Sequence, residues 1–329
     1  MSPLAPELPL AGAMAAPAPR APRYSIVSTM YRSAGFLPDF LPQCVQALRA
    51  IGCEDYEIVL VNDGSPDDSL QVALAARAQI PQLVVVDLSR NFGHHAAMQA
   101  GLAAARGERV FLIDCDLEVP PSVLAELDAK LSETGADMVY GYQEARKGGL
   151  FEKWTGGLFY KGFNLLSETR IPENVATERV MTQRYVQALL RLGDRNLFLA
   201  GMMSWAGYTQ IGVVVKKRQR EGRSTYTLSR KLSLLINAVA SFSAQPLMWL
   251  FTAGLSITGL SLLYVAYLVL RKFLFDDALL GFTSMMALTA LSLGVTTTGL
   301  GLIGIYLGKV FSQVQGRPTY IVRDIHGRG

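Results

Sequence analysis

The five residues Asp114-Cys115-Asp116-Leu117-Glu118 place three carboxylates at alternate positions directly after the apolar run RVFLI. Carboxylate oxygens so spaced can converge on one hard cation. Mg²⁺ takes oxygen ligands at about 2.1 Å and commonly joins one or two carboxylates to substrate phosphates. A cation held there neutralises charge on a leaving diphosphate. The same residues also read as an acidic loop ahead of a helix opened by Pro120-Pro121. A second acidic turn, NDGSPDD (62–68), closes the run YEIVLV. Its Asp63 can accept a hydrogen bond from a nucleobase or ribose, or it can close an Asx-turn. His94 and His95 are neighbours, so one helix cannot turn both toward a single metal; packing or capping is their expected role. Cys115 is expected to be a small buried residue. With Cys44 and Cys53 it makes an odd set without C-x-x-C spacing, which argues against a disulfide framework and a zinc site and suits a reducing compartment.

Such groups need a scaffold. YSIVS (24–28), YEIVLV (56–61), QLVVVDL (82–88) and RVFLID (109–114) are strand-like, and helical stretches separate them, among them 36–49 and part of 91–105. That alternation predicts βαβ units and a mostly parallel sheet. Ligands of such sheets lie beyond the carboxyl ends of the strands, where both acidic turns fall. Residues 141–230 are mixed, with a helical stretch near 182–192 and the basic stretch KKRQREGRSTYTLSRK (216–231).

Charged residues are 18% of the 329, against about 25% in ordinary soluble domains. The deficit is local: residues 232–270 and 278–308 contain no Asp, Glu, Lys or Arg. Helices over about 247–270 and 285–308 would each span a bilayer. Before them, Leu228, Leu232, Leu235, Ile236, Val239 and Phe242 recur at helical spacing, which predicts an interfacial amphipathic helix over 227–245 that Pro246 ends or kinks. Lys and Arg on the outer flanks of this hairpin put both termini and the preceding domain in the cytoplasm. Residues 1–23 are rich in Pro and Ala and read as a disordered tail without a signal-peptide pattern. Residues 24–226 then form the soluble domain, 246–310 the hairpin and 311–329 a cytoplasmic tail. The net charge of +4 is too small for a nucleic-acid binder. Two acidic turns, a basic juxtamembrane stretch and a hairpin together suggest a nucleoside diphosphate and a lipid-linked phosphate as substrates.

The sequence resembles the family-2 glycosyltransferases of GT-A fold, in particular the bacterial polyprenyl-phosphate glycosyltransferases with two C-terminal transmembrane helices. VNDGSPDD (61–68) is similar to V-D-D-G-S-x-D, LSRNFGHHAAMQAGL (88–102) to L-S-R-N-F-G-x-x-A-A-x-x-A-G, IDCDLEVPP (113–121) to D-A-D-L-Q-D-P-P, and GRPTYIVRD (316–324) to R-P-x-Y-x-V. The resemblance implies an α/β GT-A domain followed by the interfacial helix and the hairpin. It implies inverting transfer of one sugar from a nucleotide sugar, most often UDP-linked, to undecaprenyl or another polyprenyl phosphate at the bacterial inner membrane. Asp63 would hold the nucleoside with Thr29 and Tyr31 alongside, Asp114 the diphosphate, and Asp114, Asp116 and Glu118 a Mg²⁺ or Mn²⁺ ion. Asp116 and Arg179 would be catalytic. Lys153, Arg218, Arg220 and Arg223 would grip phosphates, although positive-inside charge against anionic lipid explains the last three as well. A homo-oligomer is a further expectation, from Gly304-Ile305-Tyr306-Leu307-Gly308 in an apolar helix, although packing within the hairpin explains that pattern as well.

The sequence departs from the family pattern at Ser33, where an acidic nucleotide contact is usual, and at Thr177, where the family has an aspartate two residues before its arginine. Asn62, Val119 and Thr225 also differ from the pattern. Retention of Asp63, Asp114, Asp116 and Arg179 favours a subgroup with altered donor selectivity over a membrane scaffold that has lost turnover. A processive polysaccharide synthase would carry Q-x-x-R-W and more spans.

Overall fold

The computed structural model describes residues 21–143, 171–172, 174–217, 240, 243–275 and 281–328. Lys153, Arg218, Arg220 and Arg223 lie outside these residues, as do nearly all of the expected tail and interfacial helix. The first half alternates strand and helix: β1 Tyr24–Met30, α1 Leu37–Ala50, β2 Tyr56–Asn62, α2 Ser69–Ala76, β3 Leu83–Leu88, α3 His94–Ala104 and β4 Arg109–Leu112. A 3₁₀ turn, Pro121–Val123, leads into α4 Leu124–Thr134. There follow β5 Met138–Tyr142, β6 Val175–Thr182, α5 Gln183–Arg191, α6 Leu199–Trp205 and β7 Gln210–Val214. Two long helices, α7 Gln245–Phe275 and α8 Phe282–Gln315, precede a last strand, β8 Val322–His326.

The described strands form one sheet in the order β7-β5-β6-β4-β1-β2-β3-β8. It is parallel across β3-β2-β1-β4, while β6 and β8 run antiparallel to their neighbours. The parallel strands are apolar on both faces because helices cover both. Ile26, Ile58, Leu60 and Val85 face the layer of α1 and α4. Val27, Val59, Val61 and Val86 face the layer of α3, α5 and α6. At the amino end of the strands, Glu57 accepts hydrogen bonds from Ser25 Oγ at 2.7 Å and Arg106 N–H at 2.6 Å. That end is tied down by structural polar contacts, which leaves the carboxyl end for ligands.

Three strands beyond the expected four complete the soluble part of the sheet. β6 hides in the sequence because Glu178 and Arg179 interrupt its apolar pattern, yet it is hydrogen-bonded on both sides. Pro246 occupies the first turn of α7, where a missing N–H costs nothing, and the interfacial helix it was expected to end or kink lies almost wholly outside the described residues. The 31 residues of α7 reach about 46 Å at 1.5 Å per residue, and the 34 of α8 about 51 Å, against a hydrocarbon core of about 30 Å. Both helices therefore outrun the expected spans, and apolar side chains such as Leu260, Leu263 and Leu293 remain exposed along them. Residues 311–329, expected as a C-terminal tail, carry further secondary structure. α8 continues to Gln315, and β8 then pairs with β3 as the sheet's edge.

Candidate active site

The site is built where β1, β2, β3 and β4 stop. Met30 ends β1 and accepts a hydrogen bond from Asp63 N–H at 3.1 Å, so the residues after β1 and β2 emerge side by side. Arg32 follows with φ +56°, a left-handed turn, and its N–H donates to Ser65 Oγ at 2.7 Å. Ser33, which stands where the family has an acid, is buried and wired into this turn: its N–H donates to Ser69 Oγ at 2.8 Å and its Oγ accepts Tyr31 N–H at 3.1 Å. The position thus shapes the loop that presents Tyr31, which is itself exposed. Thr29, Met30, Tyr31, Asp63, His94 and Ala97 line a pocket of about 110 Å³.

Asp63 is nearly enclosed, and its two oxygens accept the N–H groups of Phe92 at 2.7 Å and Gly93 at 3.0 Å. Burial pushes its carboxyl up, and those two amides pull it part of the way back. It therefore holds the loop before α3 as well as facing the pocket. His94, the first residue of α3, departs from the expected packing or capping role. Its Nδ1 lies 3.1 Å from Thr29 Oγ1 and its Nε2 lies 3.5 Å from Asp114 Oδ1. One imidazole thus joins the pocket wall to the acidic loop. His95 does pack, against Phe198, with Nδ1 3.2 Å from the Leu197 carbonyl, and burial lowers its pKa.

The acidic loop turns sharply because Leu117 adopts φ +59° and Asp116 Oδ1 accepts Glu118 N–H at 3.1 Å. Burial first, with the Glu118 and Asp114 charges added, raises the Asp116 pKa against the opposing Glu118 amide and Lys217. Glu118 is ion-paired with Lys217, which follows β7. The three carboxylates do not converge: among the described residues no three His, Cys, Asp or Glu side chains form a metal cage. Asp114 leans to His94 and Glu118 to Lys217. The donor set still suits a divalent ion shared with a ligand. Asp114 and Asp116 offer hard carboxylate oxygens on one loop, and Mg²⁺ needs only one or two carboxylates when phosphates supply the rest.

Arg179 lies opposite Leu112 in the β4–β6 ladder, two residues before Asp114, and is buried. Its Nε donates to the Thr177 carbonyl at 2.8 Å, its Nη2 to Ala176 at 2.6 Å, and its Nη1 meets Met203 Sδ. Thr177 therefore serves through its carbonyl. Glu178, unremarked in the sequence, is buried beside these groups, and its carboxyl is pushed up to about 7, chiefly by desolvation. Only its setting, an acid within a central strand, would have marked it. Lys217 had no motif of its own to separate it from the basic stretch.

Residues 25–191 match the family described as Glycosyl transferase family 2. The chain belongs to that family. As a glycosyltransferase it is 39% identical over 305 residues to a protein of Mycobacterium tuberculosis also named a glycosyltransferase, covering 93% of this chain and 89% of that one. It is 32% identical over 307 residues to a prophage-derived bactoprenol glucosyl transferase of Shigella flexneri, covering 92% and 98%. Among solved structures, the fold is similar to glucosyl-3-phosphoglycerate synthase of Mycobacterium tuberculosis, with 18% identity, a TM-score of 0.46, and coverage of 67% of this chain and 80% of that one. The transferase thus joins a GT-A-type, mostly parallel sheet to two C-terminal helices long and apolar enough to cross a membrane.

Proposed function

We propose that this glycosyltransferase moves a single sugar from a nucleotide sugar, UDP-linked, to undecaprenyl phosphate at the cytoplasmic face of a bacterial inner membrane. One observation carries the reading. A small pocket at the ends of β1 and β2 and an acidic loop, bridged by His94, stand in a chain that matches bactoprenol glucosyl transferases over nearly its whole length and carries two apolar helices. Asp63, Thr29 and Tyr31 receive the nucleoside. Asp114 and Asp116 face the diphosphate, where a bound Mg²⁺ or Mn²⁺ would supply charge neutralisation for the leaving group. Arg179 fixes the strand beneath Asp114. Lys153, Arg218, Arg220 and Arg223 are assigned to phosphate binding.

An oxygen of the acceptor phosphate attacks the anomeric carbon, the bond from that carbon to the diphosphate breaks, and the nucleoside diphosphate leaves with the electron pair. The acceptor oxygen is already anionic, so the chain need only position it and stabilise charge. Both termini and the GT-A domain lie on the cytoplasmic side.

The test uses purified full-length protein with undecaprenyl phosphate, Mg²⁺ and UDP-, GDP- and dTDP-sugars, with Asp116→Asn as control. A lipid-linked sugar made by the wild type and lost in the variant supports the reading. Nucleotide binding without lipid-dependent turnover from any donor contradicts it and favours the scaffold alternative.

A further inference from the structure

The chain returns to the catalytic domain after its second apolar helix, and it does so at β3, the strand next to the β2 end that Asp63 follows. Gln313, near the end of α8, accepts Arg195 N–H at 3.0 Å and donates to the Gly193 carbonyl at 3.3 Å. Ser89 N–H donates to the Ile321 carbonyl at 2.9 Å, and β8 then pairs with β3, Asp87 opposite Asp324. Arg323 reaches across this edge. Its Nη1 lies 3.3 Å from Asp87 Oδ2, and its Nη2 donates to the Ser89 carbonyl at 2.6 Å. The Asp87 side chain is only 4% exposed, and its other oxygen accepts Asn62 Nδ2 at 2.7 Å. Asn62 Oδ1 in turn accepts Ser65 N–H at 3.1 Å.

This chain of contacts ends in the two loops that carry Asp63 and its partners. Those loops are pressed together: a Cβ on Gly64 would lie 2.5 Å from both the Arg90 carbonyl carbon and the Asn91 nitrogen. The loop holding Phe92 and Gly93, which donate to Asp63, is therefore packed directly against the turn at Gly64 that follows Asn62 at the end of β2. Asn62 suits this junction because an amide both donates and accepts, whereas a carboxylate there would face the buried Asp87 charge. Arg323 supplies the compensating charge from a segment that exists only beyond the membrane hairpin. Its own side chain is 61% exposed, so its contribution is to geometry more than to stability.

We infer that Arg323 is a positioning residue for the donor pocket, and that β8 couples the membrane hairpin to nucleotide binding through Asp87 and Asn62. The inference rests on the nucleotide-sugar reading above for its ligand, but its structural half stands separately.

The experiment compares full-length wild type, Arg323→Ala and Arg323→Lys in detergent, with UDP and GDP titrated in the presence of Mg²⁺. Amide exchange over 89–95 and over β4 is followed alongside, with melting temperature as the folding control. The expected result for Arg323→Ala is nucleotide binding weaker by about fivefold, the equivalent of about 1 kcal/mol. Exchange should be about tenfold faster at 92–93 while β4 stays protected. Arg323→Lys, which keeps the charge but not the fork to both Asp87 and Ser89, should fall between. Wild-type binding and unchanged exchange in Arg323→Ala would overturn the inference. So would an even loss of protection across β4, which would make Arg323 a general stabiliser. If the wild type binds neither nucleotide, the donor reading falls, and exchange at 92–93 alone decides the coupling: faster in Arg323→Ala supports it, unchanged refutes it.

Discussion

Replacing His94 by Ala removes a side chain that reaches both Thr29 and Asp114. The hydrogen bond to Thr29 is worth about 1 kcal/mol, so kcat/KM for the donor should fall at least about fivefold, and His94→Gln should recover part of it. Steady-state kinetics with the donor varied at saturating lipid checks this. Glu178 gives a different signature. Its carboxyl, ordinarily near 4.5, is pushed to about 7 by burial and the Asp114 charge, against its own amide, Lys217 and Arg179. Between those values the folded chain binds more protons than the unfolded one, so stability falls as pH rises through that window. Melting in chelator across pH 4.5–7 should therefore decline in the wild type and stay flatter in Glu178→Gln, a difference of a few kcal/mol. At this scale the sequence exposed Asp63, Asp114 and Asp116, because each follows an apolar run that had to end somewhere near a ligand. His94 and Lys217 stayed hidden, since sequence spacing says nothing about which neighbour a side chain leans on across the fold.

Among elements, α3 matters most, because it aims His94 and its preceding loop holds Asp63. It can lie close to the sheet only because Gly101 has no side chain: a Cβ there would sit 2.5 Å from Val27 Cγ1 and 3.0 Å from Val61 Cγ2. Helix propensity alone favours Ala over Gly by about 1 kcal/mol. Overpacking costs about 1–3 kcal/mol, and with two β-branched side chains in the way it should win. Gly101→Ala should thus lower the melting temperature and weaken donor binding together; an unchanged melt would show that the sheet yields. The four parallel strands and α3 were legible from apolar runs and turn residues. β6 was not, because its buried Glu178-Arg179 pair reads as surface, and β8 was not, because a strand paired only at one edge keeps half its residues polar.

At the scale of the whole molecule, the proposed orientation, with two helices long and apolar enough to cross a bilayer and a basic stretch before them, can be probed directly. All three native cysteines are buried, so an introduced cysteine will dominate labelling. A membrane-impermeant maleimide should label Gly281→Cys, between α7 and α8, in intact spheroplasts and reach Arg317→Cys, beyond α8, only after lysis. The reverse pattern would invert the topology and separate the pocket from cytoplasmic nucleotide sugars.

The central claim is single, lipid-dependent, inverting transfer, and the most direct measurement is the product itself. Nucleotide release and lipid-linked sugar are counted together, and the anomeric configuration of the product is read by NMR. The account predicts one sugar per lipid, one nucleotide per sugar, inverted configuration, and no release without polyprenyl phosphate. A ladder of longer glycans, retained configuration or lipid-independent release would contradict it.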